Sequence, residues 1–328
     1  MIKYNYMKNV AVIMGGYSSE FEISLTSGGV VCANLNKDKF KAFPVHILKE
    51  KWVCVLDGNE YPIDRNDFSI TINNSKITFD VVFNAIHGTP GEDGLMQAYF
   101  ELLEIPHTSC DYYQAALTFN KRDLLSVLKP YGVKTATSCY LNLGDEINVE
   151  EILSKVGLPC FVKPNKSGSS FGISKVKTKE EFLPAIEVAY KEDNEIIIES
   201  FLDGVEVSVG VISYKGKTRV LPMTEIVSEN EFFDYEAKYL GKSSEITPAR
   251  ITEELRLKIE LISKKAYEVL KMKGFSRSEF IIVNDEPYML EMNTVPGLTN
   301  ESILPQQARE AGISLPELFE NAIEEALK

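Results

Sequence analysis

The apolar positions of this chain fall into short runs separated by helical patterns. Asn9–Met14 (NVAVIM) is a nearly unbroken apolar run closed by Gly15-Gly16 and the polar turn YSSE, as expected of a strand buried on both faces. A helical pattern follows over Phe21–Asn34. Lys41–Leu48 reads as a second strand, and Phe79–Ile86 (FDVVFNAI) as a third that ends in the turn HGTPGEDG. Leu95–Leu103 has helical spacing, and Ile105–Thr108 is a short strand. Strands alternating with helices predict a parallel sheet, whose ligands gather at the carboxyl ends of the strands, and both Gly-rich turns lie at such ends.

Tyr112–Leu128 predicts one helix, stopped by Lys129-Pro130-Tyr131-Gly132. A second unit follows, with strand Pro159–Pro164, loop Asn165–Gly172, strand Ile173–Lys177, helix Lys179–Tyr190 and strand Glu195–Ser200. The remainder is strand-rich. Glu206–Tyr214 and Lys217–Pro222 form a hairpin, and an amphipathic helix over Thr252–Met272 precedes two more strands and a C-terminal helix. The result is three α/β or α+β units in series, without internal repeats or low-complexity segments.

Composition narrows the function classes. Of 328 residues, 44% are apolar and 25% charged, enough to bury a sizeable core. No run approaches the ~18 apolar residues of a membrane span, and the start, MIKYNYMKNV, lacks the apolar region of a secretory signal. Lys and Arg number 35 against 48 Asp and Glu, a net charge of −13, so neither nucleic acid nor an anionic membrane is an expected partner. The cysteines Cys32, Cys54, Cys110, Cys139 and Cys160 are widely spaced, with no CxxC pair, which reads as reduced cytosolic thiols.

Three segments carry candidate chemistry. Lys163-Pro-Asn-Lys-Ser-Gly-Ser-Ser-Phe-Gly172 ends a strand with a lysine and continues as a small-residue loop whose N–H groups and hydroxyls suit a polyphosphate. Alone, an ordinary hairpin loop explains it as well. Glu195–Glu206 (EIIIESFLDGVE) offers an edge strand and acidic side chains for an adenine and a ribose, although a solvated edge strand has the same pattern. Arg277-Ser-Glu279 and Glu291-Met-Asn293 have period-2 spacing. A three-residue turn at Asn284–Glu286 would set Val283 opposite Pro287, Glu279 opposite Glu291 and Arg277 opposite Asn293. Two carboxylates across a ladder repel unless a cation lies between them, and Glu, Glu and Asn suit Mg²⁺. The runs FIIV and YML beside them favour a buried site over a solvated face. The Pro296-Gly297 turn after Asn293 offers N–H groups to an oxyanion, and Asp234–Tyr239 lies in a polar stretch suited to a mobile loop. His87 is either a ligand or a turn residue.

Taken together, these motifs resemble the ATP-grasp superfamily and, within it, the D-alanine–D-alanine ligase family. The resemblance runs through MGGYSSEFEIS, HGTPGEDG, Phe119-Asn120-Lys121, VKPNKSGSSFG, IIIESFLDGVEVSV, FDYEAKY, GFSRSEF and LEMNTVPGLTNESILP. It implies an ATP-grasp fold behind an N-terminal Rossmann-like parallel-sheet domain, divided as 1–112, 113–200 (central lobe) and 201–328 (C-terminal lobe with the metal site). It implies ligation of two D-alanines with cleavage of ATP, for peptidoglycan precursors, by a cytoplasmic homodimer. By the same resemblance Lys121 and Lys163 hold the ATP phosphates, Glu199, Ser200, Phe201 and Leu202 meet the adenine, and Glu206 the ribose. Glu279, Glu291 and Asn293 ligate two Mg²⁺ ions, for which Mn²⁺ substitutes. Glu22 takes the ammonium of the first D-alanine, with His87 nearby. Arg277 and the Gly297 N–H stabilise the oxyanion, Ser302 and Lys238 anchor the second carboxylate, and Ser169 and Tyr239 link Glu22 to a closing loop. One position departs from the family pattern: Glu279 stands where Arg-x-Asp is common.

Two other readings remain. A relative joining D-alanine to D-lactate or D-serine is one, and Tyr239 favours D-alanine over D-lactate. The other is a nucleotide-binding protein without turnover, against which the intact Lys163, Arg277, Glu291 and Asn293 argue.

Overall fold

The structure is a computed structural model that describes residues 7–168, 170–228 and 243–328. Ser169, Lys238 and Tyr239 lie outside the described residues.

The first part of the chain forms β1 (Lys8–Gly15), α1 (Phe21–Asn34), β2 (Phe40–Ile47), β3 (Trp52–Leu56), β4 (Asn59–Pro62), β5 (Ile70–Ile72), β6 (Ser75–Ile77), β7 (Val81–Asn84) and α2 (Leu95–Leu102). The sheet order is β4-β3-β2-β1-β7. Only β2, β1 and β7 run parallel; β3 and β4 form an antiparallel edge. That edge hairpin turns at Asp57-Gly58, both at positive φ, a pairing favoured in two-residue hairpin loops. The strand expected at Ile105–Thr108 is reduced to a single parallel bridge between Val82 and His107.

The helix expected over Tyr112–Leu128 is two helices, α3 (Tyr112–Phe119) and α4 (Lys121–Leu128). Asn120 leaves the helical region at φ −89°, ψ 102°, and its side chain accepts the Asp123 N–H at 3.1 Å. An Asn that hydrogen-bonds the backbone ahead of it caps a new helix rather than continuing the old one. The break makes Lys121 the first residue of α4. The apolar face of these helices, Ala115, Leu124, Leu125 and Leu128, is buried with Val207, Val209 and Phe280 of the third sheet described below.

The second sheet, β10-β9-β11-β8, is wholly antiparallel. It comprises β8 (Ser138–Asn142), β9 (Cys160–Pro164), β10 (Ser174–Val176) and β11 (Glu195–Ser200), with α5 (Val149–Val156) and α6 (Phe182–Ala189) packed on it. Strand alternation then sorts its residues. Cys160, Val162, Ile196 and Ile198 join the helices in one core, which turns Phe161, Lys163 and Glu199 to the opposite face.

The third sheet contains β12 (Val205–Tyr214), β13 (Lys217–Val220), β14 (Thr224–Ser228), β15 (Ser243–Ile246), β16 (Phe275–Val283) and β17 (Glu286–Asn293). The order is β15-β14-β12-β16-β17, with β13 on the far end of β12. The β16–β17 hairpin turns on two residues, Asn284 and Asp285, both at positive φ, so Val283 pairs with Glu286 and not with Pro287 as the longer turn required. That register alone would put Glu279 opposite Leu290. A bulge between Glu279 and Phe280 restores the pairs Glu279–Glu291 and Arg277–Asn293. The expected partners meet, but the bulge brings them together rather than the turn.

The two ends of the chain share a core. Val10, Val12 and Phe83 of the first sheet pack against Leu304, Leu318 and Phe319 of the helices Ile303–Glu310 and Leu315–Ala326. No helix among the described residues is long and apolar enough to cross a membrane.

Candidate active site

The second and third sheets face each other across a cavity of about 450 Å³. Phe161 and Lys163 line it from β9, Glu199–Gly204 from β11 and the turn after it, Glu206 from β12, and Glu279 and Glu291 from the bulged hairpin. Lys163 Nζ lies 2.9 Å from Glu199 Oε2, and the other oxygen, Oε1, is buried without a hydrogen-bond partner among the described residues. Burial alone would lower the Lys163 ammonium, but Glu199, Glu291 and Glu206 outweigh it and hold the group above the usual lysine range. The Phe161 and Phe201 rings lie 6.1 Å apart, with the Lys175 ammonium 4.1 Å above Phe201. The backbone around Ser200 is tied down: Ser200 N–H donates to Thr137 O, and Thr137 N–H donates to Ser200 Oγ.

Opposite this face, α4 sends Lys121 into the cavity. Its ammonium donates to Ser167 O at 2.8 Å and lies 3.1 Å from Glu291 Oε2. On β16, Arg277 reaches Glu279 at 3.2 Å, as the shared strand face requires. Glu245 of β15, not anticipated from sequence, lies near both. Burial raises its carboxyl above the usual range, and Gln306 donates to it at 2.7 Å. Glu279, Glu291 and Asn293 are hard oxygen donors on one side of the hairpin, and cations are already drawn to both carboxylates. That donor set fits Mg²⁺. Among the described residues no group of three His, Cys, Asp or Glu side chains forms a complete metal cage.

Beside the cavity, the loops of the N-terminal sheet approach the β16–β17 hairpin, where His87 and Glu92 feel the charges of Arg277 and Glu291. Here the expectation for Glu22 is corrected. Glu22, Thr26 and Gly29 form an exposed stripe of α1, whereas Glu20, Ser24, Ser27 and Val31 are buried. Glu20 is the inward carboxylate. It meets the loop after β9 so closely that a Cβ on Gly168 would lie 2.6 Å from its Oε2. Sequence spacing favoured neither residue, because the buried face of α1 is made of Ser and Gly and so carries no apolar period.

His87 is not an open ligand. Its Nδ1 lies 2.7 Å from Val295 O, and its Nε2 lies 2.9 Å from Ser27 Oγ. Donation from Nδ1–H to the carbonyl leaves Nε2 to accept from the serine. Burial pushes the imidazole below its usual pKa. Glu92, another residue missed from sequence, accepts from Gly88 N–H at 2.6 Å and from Val295 N–H at 3.2 Å. Both backbone groups of Val295 are thus gripped by N-terminal side chains, and Leu298 N–H donates to Ser27 Oγ at 3.3 Å. The Pro296-Gly297 turn hangs between these anchors. Gly297 has no room for a side chain, since a Cβ would lie 2.7 Å from Ser302 Oγ, which itself accepts the Thr299 N–H. Asn293 turns its Oδ1 to Val295 N–H at 3.0 Å.

The comparisons with known proteins agree with this architecture. The family models described as D-ala D-ala ligase N-terminus and C-terminus match residues 9–110 and 130–324. A D-alanine–D-alanine ligase from Flavobacterium johnsoniae is 75% identical over 98% of this chain and 100% of its own length. One from Christiangramia forsetii is 61% identical over 98% of both chains. Among solved structures, D-alanyl-alanine synthetase A from Vibrio cholerae superposes with a TM-score of 0.88 at 26% identity, covering 98% of each chain. The VanG D-Ala:D-Ser ligase from Enterococcus faecalis does so with a TM-score of 0.85 at 31% identity, covering 98% of this chain and 100% of its own. The ATP-grasp fold expected from the motifs is the fold of these neighbours, and the chain belongs to the D-alanine–D-alanine ligase family.

Proposed function

We propose that this protein joins two D-alanines to D-alanyl-D-alanine, cleaving ATP to ADP and phosphate, for peptidoglycan precursor synthesis. The observation that carries the reading is the meeting of Lys121, Lys163 and the Glu279–Glu291 pair on one cavity, in a chain 75% identical to a named D-alanine–D-alanine ligase. Phe161, Phe201 and Glu199 suit an adenine, and Glu206 a ribose. Lys121, Lys163 and the small-residue loop that begins at Asn165 suit the phosphates.

Glu279, Glu291 and Asn293 would hold Mg²⁺, which when bound supplies screening of the phosphate charge. The remaining chemistry rests on this chain's own groups. A carboxylate is a poor electrophile, so the first D-alanine's carboxylate oxygen attacks the γ-phosphorus and forms an acyl phosphate, with ADP leaving. Lys121 and Lys163 offset the charge on the phosphate oxygens. Glu20, in place of Glu22, holds the first ammonium. The second amine, once deprotonated, attacks the acyl carbonyl. The tetrahedral oxyanion then develops beside Arg277 and the Gly297 N–H, and phosphate leaves. Ser302 and Lys238 anchor the second carboxylate. Closure by the segment carrying Lys238 and Tyr239 keeps water from the acyl phosphate. Two Mg²⁺ ions, a homodimer and a cytoplasmic location belong to the same reading.

The test is phosphate release with ATP and Mg²⁺, with and without D-alanine, using L-alanine, D-serine and D-lactate as parallel arms. Release that needs D-alanine, with the dipeptide seen by mass spectrometry, is the expected result. Release that follows D-serine or D-lactate instead moves the assignment to an ester- or serine-forming relative. Nucleotide binding without release in any arm overturns catalysis.

A further inference from the structure

We infer that Asn165 is a positioning residue that locks α4, and with it Lys121, to the phosphate loop. The inference rests on the reading above, in which Lys121 and that loop hold the nucleotide phosphates.

Asn165 is the first residue after β9 and is wholly buried. An asparagine side chain offers one acceptor oxygen and one donor nitrogen, and here each is used. Oδ1 accepts the Arg122 N–H at 3.0 Å, and Nδ2 donates to Glu195 Oε2 at 2.7 Å. Its main chain repeats the pattern: Asn165 N–H donates to Glu195 O at 2.9 Å, and Asn165 O accepts the Lys121 N–H at 3.3 Å. A backbone N–H needs an acceptor and a carboxylate needs a donor, so the amide has only one satisfactory orientation.

The first N–H groups of a helix have no partner inside it. In α4 Asn120 caps only the Asp123 N–H from within the local chain. The N–H groups of Lys121 and Arg122 are both met by Asn165, more than forty residues later in sequence. A residue of the loop therefore caps the helix, and the helix start cannot move without the loop. The Arg122 guanidinium extends the joint. It donates to Asn142 Oδ1 at 2.9 Å and to the carbonyls of Leu141 and Ile196, fastening α4 to β8 and β11. Lys121 leaves this anchored turn and donates to Ser167 O, two residues beyond Asn165. Lysine ammonium and loop are thus held in one relative position before any phosphate arrives. Such preorganisation acts on nucleotide affinity.

A reciprocal exchange of side chains tests this. Asn165→Asp sets two carboxylates together, and Asn165→Asp with Glu195→Gln restores an amide–carboxylate pair in the opposite sense. Asn165→Asp is expected to raise the KM for ATP about tenfold, the size of one charged hydrogen bond. The KM for D-alanine should stay within about twofold, and the double variant should return close to Glu195→Gln alone. A merely structural role would lower the yield of folded enzyme without separating the two KM values. Asn165→Ala carries the measurement if Asn165→Asp does not fold. An unchanged KM for ATP, or a double variant no better than Asn165→Asp, overturns the inference. Lys121→Ala is measured beside them: if it leaves ATP affinity intact, the phosphate reading itself falls, a result distinct from a failure of Asn165 alone.

Discussion

The cavity and the N-terminal wall beside it treat charge in opposite ways. Between the second and third sheets, acidic groups are met by cations at about 3 Å: Lys163 by Glu199, Lys121 by Glu291 and Arg277 by Glu279. Along the N-terminal wall, His87 and Glu92 are buried against backbone groups, and burial drives both toward their neutral forms. A buried ion pair can exchange partners when a multiply charged ligand enters, whereas a neutral group bonded to main chain keeps a shape. The nucleotide end is built for exchange. The N-terminal end is built as a rigid wall that holds the Pro296-Gly297 turn.

The largest effect is expected where exchange matters most. Glu291→Gln keeps the shape of a side chain that is 31% exposed but removes its charge from the proposed metal site. Turnover should fall by at least about 10³-fold, in the range for removing a group that stabilises charge in the transition state, while the melting temperature stays near that of the wild type. Phosphate release and a thermal melt on the same preparation measure both. Activity within tenfold of the wild type would remove Glu291 from the metal site.

Next comes the most buried pair. Lys163→Met leaves Glu199, at 3% exposure, without its cation, which should cost about 3–5 kcal/mol of stability. Adding Glu199→Leu removes the stranded charge and should recover most of that loss without recovering activity. Urea denaturation of the two variants separates the terms. A double variant as unstable as the single one would show that Lys163 matters for packing rather than for charge.

The same comparison explains what could be read from sequence. Period-2 spacing put Arg277 with Glu279 and Glu291 with Asn293 on shared strand faces, whereas β11, with three isoleucines in a row, carries no alternation that would tell which way Glu199 points. The pairing of Glu279 with Glu291 was legible as chemistry, but not its route. A two-residue turn plus a bulge gives the same opposition as a longer turn, and nothing around Leu290 announces the extra residue. The N-terminal wall was harder. α1 buries Glu20, Ser24 and Ser27, so apolar periodicity could not choose between Glu20 and Glu22. Glu92 and Asn165 act on residues more than forty positions away, a relation that exists only once the sheets are assembled. The break at Asn120 was visible in principle, since Asn followed three residues later by Asp marks a helix start as readily as a helix interior.

The smallest effect tests the neutral wall. Burial pushes the Glu92 carboxyl from 4.5 up to about 8, and the negative charges of Glu20 and Glu291 act in the same direction. The folded state thus keeps a proton that the unfolded chain gives up near its ordinary pKa. Stability from this group is fully present below about pH 4.5 and is lost as pH rises through about 8. Glu92→Gln removes the titration but leaves a single acceptor oxygen for the N–H groups of Gly88 and Val295, which should cost about 1 kcal/mol below about pH 4.5, where the wild type has its full contribution. The variant should therefore be the less stable protein near pH 4. Its melting temperature should fall less steeply toward pH 9, so the two curves cross and the variant is the more stable protein on the alkaline side. Parallel curves across that range would mean that Glu92 carries its charge in the folded protein, and that the N-terminal end, like the nucleotide end, is held by compensated ions.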